Sequence, residues 1–156
     1  MDEREKKLAV LAKIARLFNS QGVSWALGGS AMLYFRGRTD SFRDLDIMAA
    51  EKEIPGLDAL VSTLCPIPPQ KPADGRFRSA YFRELQIDGV EVDIIAGLVI
   101  VSKGREHRCP LLPEGIDAQV TVLGEKIPLQ ALGDWQEYYE LMGRPEKAAL
   151  AAPLIV

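Results

Sequence analysis

Between Trp25 and Met48 the chain reads WALGGSAMLYFRGRTDSFRDLDIM. An apolar run ends in Gly28-Gly29-Ser30, a short amphipathic segment carries arginines, and Asp44-Leu45-Asp46-Ile47 then alternates charge with apolar side chains. On a strand, alternation places Asp44 and Asp46 on one face and Leu45 and Ile47 on the other, which must meet a core. Carboxylates this close repel and resist burial, so the pair points to a divalent cation rather than to stability. A glycine turn that opens a helix is in turn a cradle for phosphate. Together the two features predict chemistry on a nucleoside triphosphate.

The rest of the composition narrows the setting. With 156 residues, 47% hydrophobic and 26% charged, one soluble domain over 1–156 is expected, with a core at about 8–123 and a helical tail at about 124–152. The formal net charge of -3 gives no global basic field, which argues against nucleic acid as a partner. The longest apolar run, Ile94 to Val101, has eight residues, far short of the ~20 that span a bilayer, so no membrane partner is expected. The start, MDEREKKLAVLAKIARLF, is charged and amphipathic, without the apolar core of a signal peptide. Cys65 and Cys109 have no neighbouring ligands and read as reduced thiols of a cytoplasmic protein. The single histidine, His107, excludes a multi-histidine metal site.

Periodicity gives an order of elements. Residues 3–20 read as a helix stopped at Gly22, 23–27 as a strand, 30–35 as a helix opening on the glycines, and 43–49 as a strand. A helix over 54–64 follows, with Pro55 in its first turn. A loop with four prolines spans 65–75. Asp88-Gly89 between two alternating runs predicts a hairpin of 77–87 with 90–95. Glu91 and Asp93 then share one face, so a third carboxylate can lie beside the Asp44–Asp46 strand. Residues 99–102 are a candidate extension of the sheet, 120–123 and 125–128 short strands, 131–142 a helix ended by Gly143, and 145–152 a final helix. The fold class is α/β in the α+β sense: a mixed, mostly antiparallel sheet flanked by helices packed mainly on one side, with a short helical C-terminal tail.

Nucleotidyl transfer matches this residue set. Two Mg²⁺ ions ~3.5–4 Å apart can clamp the attacking and leaving oxygens, and hard Mg²⁺ prefers carboxylates, phosphate and water. Asp44 and Asp46 would bridge the metals, and Asp93 would complete one shell or help deprotonate an acceptor hydroxyl. Gly28 and Gly29 would let the backbone approach the phosphates, with the Ser30 hydroxyl beside them. Arg36, Arg38 and Arg43 are candidates for neutralising charge, Arg43 being the one assigned to the phosphates. Nothing in the pattern separates Mg²⁺ from Mn²⁺.

Leu27-Gly28-Gly29-Ser30, Asp44-Leu45-Asp46-Ile47 and Val92-Asp93-Ile94, in this order, resemble the signature of the nucleotidyltransferase (polymerase-β-like) superfamily. The fourteen residues between Gly29 and Asp44 make a spacer at the long end of the family range, comparable with small antibiotic-modifying members. KIPLQALGDWQEYYELMGRPEKAAL, residues 126–150, resembles the tail of small stand-alone bacterial and archaeal members. Two positions depart from it: Tyr139 where many tails carry a lysine, and Lys147 where they carry an acid. The resemblance implies metal-dependent transfer from an NTP to a small-molecule or protein acceptor. A protein partner or a homodimer remains open. The alternative it also allows is a non-catalytic nucleotide-binding module, or the nucleotidyltransferase-like half of a toxin–antitoxin-type pair.

Each remaining feature has a plainer reading. Glu91 reads as a solvent-facing charge, Arg144 and Lys147 as exposed or capping charges, Tyr138 and Tyr139 as helix packing, and the Lys103–Arg108 stretch with His107 as a solvated loop. A lone Gly-Gly-Ser is commonly a turn. The ordered combination carries the argument.

Overall fold

A computed structural model describes residues 1–152; residues 153–156, the end of the expected domain, lie outside the described residues. The elements run α1 (Glu3–Ser20), β1 (Trp25–Gly28), α2 (Gly29–Phe35), β2 (Leu45–Ala49), α3 (Ile54–Val61), β3 (Tyr81–Ile87), β4 (Val90–Ala96), β5 (Leu98–Ser102), β6 (Arg105–Cys109), β7 (Ile116–Val122), β8 (Glu125–Gln130), α4 (Leu132–Leu141) and α5 (Pro145–Leu150).

α1 begins where the sequence offers a cap: the Asp2 carboxylate accepts the Glu5 N–H at 2.8 Å, satisfying one of the free donors of the first turn. Val10, Leu11, Ile14, Ala15 and Phe18 recur at helical spacing and are all buried, so one stripe of the helix enters the core. Among the described residues, no helix is long and apolar enough to cross a membrane.

Six strands form one sheet in the order β3-β4-β2-β1-β8-β7. β2 pairs with β4 and β1 with β8 in parallel, while the other pairs are antiparallel, giving the mixed, mostly antiparallel α+β fold expected. β5 and β6 form a separate antiparallel ribbon. The β3–β4 hairpin turns on Asp88 and Gly89, both at positive φ (49° and 81°), the backbone that matches the right-handed twist of the strands.

Several boundaries differ from the periodicity, and three of the differences have a clear physical reason. β2 starts at Leu45, so Asp44 lies just outside the strand and is held by its loop. β3 starts at Tyr81, because the preceding residues leave β4 and pair with β5 instead, with Arg78 N–H donating to Val99 O at 3.1 Å and Val101 N–H to Arg76 O at 2.7 Å. The 103–108 stretch is not wholly loop: Arg105–Cys109 is a strand, made by pairing with β5 rather than by its own apolar content.

The tail is seated by a buried polar network. Gln130 is the fully buried polar residue at the end of β8. Its Oε1 accepts the Trp135 indole N–H at 2.9 Å, and its Nε2 donates to the Tyr138 hydroxyl at 3.2 Å and to Asp134 at 3.1 Å. Arg36, just past α2, donates to Gln130 O at 3.0 Å and pairs with Asp117. Arg38 donates to the carbonyls of Leu150 and Ala152 at 3.3 and 2.6 Å, satisfying orphan acceptors at the end of α5. Both arginines are thus spent on holding the tail. Gln130→Leu, which strands the Trp135 and Tyr138 polar groups, is expected to lower stability by about 2–4 kcal/mol. Urea unfolding would read this as a lower midpoint at unchanged m-value.

Candidate active site

The parallel pairing of β2 and β4 sets Asp46 directly beside Asp93. Asp44 joins them from the loop before β2. One carboxylate oxygen from each of the three lies within 4.8 Å of the others, and all three residues are partly buried. The loop that delivers Asp44 is fixed from α1 and α2. Lys7 Nζ donates to Phe42 O at 2.7 Å and sits 5.5 Å from the Phe42 ring centre, while Tyr34 packs on that ring at 5.0 Å.

Sequence-adjacent glycines make room for this cluster. Gly29 has φ +61°, and a Cβ there would lie 2.0 Å from Asp46 Oδ2. A Cβ on Gly28 would lie 2.3 Å from the Trp135 ring. Both glycines therefore permit close approach of protein groups, a carboxylate at one and an indole at the other. Ser30 follows them and lines the same cleft of about 510 Å³ as the three aspartates.

Electrostatics mark the cluster as short of positive charge. Burial pushes the Asp46 carboxyl well above its ordinary range, and the charges of Asp44 and Asp93 push it further. Asp93 is raised to about 7, first by burial, then by Asp44 and Glu84. A site that holds three carboxylates against their own repulsion suits a divalent cation. An all-oxygen donor set suits the hard ions.

The other expected residues separate. Arg43 lies on the cleft rim, 85% exposed, 3.6 Å from Asp44 and 3.8 Å from Glu91. Arg36 and Arg38 turn away to the tail, as described. Glu91 is an exposed partner of Arg43, and His107 stands on β6, outside the cleft lining.

Three cations that local sequence reasoning passed over line the cleft. Arg144 and Lys147 line it from the tail, near enough for their charge to act on Asp46. Arg144 is also the exposed N-cap residue of α5 expected from the sequence, 3.8 Å from Glu146, whereas Lys147 is half-buried. The available signal was Gly143-Arg144-Pro145: Gly143 has φ +72° and the Arg144 N–H returns to Tyr139 O at 2.8 Å, a helix stop that folds α5 back against α4. Lys71, in the proline-rich loop, sits 4.6 Å from the Phe82 ring centre and 5.4 Å from that of Phe77. Its placement rests on the long-range bond from its own N–H to Phe82 O at 2.9 Å, which leaves no local trace.

The glycine turn, the aspartate pair and the third aspartate on the adjacent parallel strand are the arrangement that the nucleotidyltransferase resemblance implies. Comparison with solved structures agrees. A candidate nucleotidyltransferase from Thermotoga maritima (TM1012) superposes with a TM-score of 0.73 at 28% identity, over 96% of this chain and 91% of that one. ANT(2")-Ia, solved with adenylyl-2"-tobramycin, shares the fold at a TM-score of 0.62 and 13% identity, over 94% of this chain and 87% of that one. The lincosamide antibiotic adenylyltransferase LnuA, solved with lincomycin, shares it at 0.51 and 13%, over 95% and 98%. No family profile matches the chain, and no curated protein matches it.

The raised Asp93 carboxyl has a consequence for stability. Folding favours its protonated form, so its contribution is complete below the ordinary value of 3.8 and is lost as pH rises to about 7. The metal-free protein is therefore expected to lose stability in Asp93-dependent fashion from about pH 4 to about pH 7, and Asp93→Asn to flatten that slope. Thermal melts of both proteins in chelator across this range would check it.

Proposed function

We propose that the protein is a divalent-metal-dependent nucleotidyltransferase that moves a nucleoside monophosphate from an NTP to an acceptor hydroxyl, on a small molecule or a protein. The supporting observation is the meeting of Asp44, Asp46 and Asp93, their oxygens within 4.8 Å, in one open cleft that Ser30 also lines. The donor set fits Mg²⁺, and Mn²⁺ equally. When bound, such ions neutralise charge on the attacking and leaving oxygens of the displacement.

The residues divide the work. Asp44 and Asp46 would hold the ions and Asp93 would complete the set from β4. Gly28, Gly29 and Ser30 present backbone and hydroxyl donors to the triphosphate, and Arg43 on the rim adds a guanidinium suited to phosphate oxygens. Arg144 and Lys147 supply further positive charge from the tail. The acceptor oxygen forms its bond to the α-phosphorus as the bond to pyrophosphate breaks, and the Asp93 carboxylate receives the hydroxyl proton. In this reading residues 1–156 are a single domain working in the cytoplasm, in keeping with free Cys65 and Cys109.

Calorimetric titration with each of the four NTPs, with and without Mg²⁺, tests the assignment. Metal-dependent binding of an NTP is expected for the wild type and is expected to disappear in Asp46→Asn. Asp44→Asn is expected to reduce Mg²⁺-dependent turnover by on the order of a hundredfold or more while the fold is kept. Unchanged turnover in that variant would overturn the proposal.

A further inference from the structure

The chain has four tyrosines, and three of their hydroxyls are engaged by the protein. The Tyr34 hydroxyl accepts from Arg4 at 3.3 Å, that of Tyr81 donates to Asp58 at 2.5 Å, and that of Tyr138 accepts from Gln130 at 3.2 Å. Tyr139 differs. It is only 3% exposed, it lines the cleft with the three aspartates, and among the described residues its hydroxyl has no hydrogen-bond partner. The ring is buried but the hydroxyl oxygen keeps access to solvent, so it opens on the cleft with its donor free for a ligand. The ring is already fixed: it packs on Trp135 at 5.4 Å between centres, and the Arg144 guanidinium lies 5.9 Å from its own centre. A hydroxyl held this rigidly is aimed at something the cleft receives.

The surroundings indicate what that is. Asp46 and Asp44 lie close enough for their charge to act on the Tyr139 hydroxyl, which as an ordinary phenol is a donor throughout the physiological range. Arg144 and Lys147 stand on the same wall. One neutral donor in a cleft lined also by two cations of the tail and by a triad suited to metal is complementary to an anionic oxygen. We infer that Tyr139 is a substrate-binding residue whose hydroxyl donates to a phosphate oxygen of the bound triphosphate, with Arg144 and Lys147 as the charged members of the same tail-borne anion site. This rests on the nucleotidyltransferase reading above and adds a third, neutral contact from the tail. A tyrosine here grips phosphate without adding charge, so it does not compete with the metal for the carboxylates.

Tyr139→Phe removes only the oxygen, and Tyr138→Phe is its matched control because that hydroxyl is satisfied within the protein. Both are compared with wild type by calorimetric titration of the Mg²⁺ complexes of the four NTPs and of inorganic tripolyphosphate, with thermal melts alongside. Tyr139→Phe is expected to weaken both the NTP that binds and tripolyphosphate by about ten- to a hundredfold with its melting temperature kept. Tyr138→Phe is expected to lower the melting temperature and leave both affinities unchanged. Unchanged affinity in Tyr139→Phe would overturn the inference. Loss of NTP affinity alone, with tripolyphosphate unaffected, would place the hydroxyl on base or sugar and overturn the phosphate assignment. Failure of every NTP and of tripolyphosphate to bind the wild type would instead overturn the nucleotidyltransferase reading itself, and this inference with it.

Discussion

Asp46 occupies space that exists only because residue 29 has no side chain. Any Cβ at Gly29 would lie 2.0 Å from an Asp46 carboxylate oxygen, far inside van der Waals contact, and the backbone there takes a left-handed conformation that larger residues resist. From that contact the rest of the site follows in sequence. The turn at Gly28–Gly29 ends β1 where β2 begins to run antiparallel beside it, and β2 in turn lies parallel to β4, which fixes Asp46 against Asp93. On the other flank, the neighbouring Gly28 admits the Trp135 ring, and with it α4 and the tail wall of the cleft. Two adjacent glycines thus serve two walls, one acidic and one aromatic.

Repulsion among the three aspartates is the energetic counterpart of this geometry. The fold holds them together through backbone pairing and the Lys7–Phe42 anchor, neither of which cancels their charge. Neighbouring cations are offset from them: Arg43 stands on the rim, Arg144 and Lys147 on the tail, Lys71 against two phenyl rings. The cleft is therefore negative at its floor and positive along its edges. Such a distribution is the one the proposed pairing of a metal ion with a polyphosphate calls for.

Much of this was legible in the chain itself because the main signals are local. Alternation around Leu45–Ile47 and Val92–Ile94 marked the strands and the side on which their carboxylates lie, and Asp88-Gly89 marked the turn between β3 and β4. What escaped depended on contacts between distant segments. Arg105–Cys109 has almost no apolar alternation and becomes a strand only by pairing with β5. Residues 76–80 look continuous with β3 but hydrogen-bond to a different neighbour. Arg36 and Arg38 share the composition of a phosphate-binding stretch, yet their partners are Asp117 and backbone carbonyls more than ninety positions away in some cases. Arg144 and Lys147 carried the opposite ambiguity, since only the reversal of the chain at Gly143 shows which way they face.

The mode of attachment at Arg38 carries a consequence for how such a protein can diversify. Its guanidinium grips α5 through the carbonyls of Leu150 and Ala152, groups every residue type provides. The clasp is indifferent to the side chains of the helix it holds. Mutation can therefore rewrite residues such as Lys147 on the inner surface of the helix without dislodging it, so ligand preference can drift while the frame is inherited unchanged.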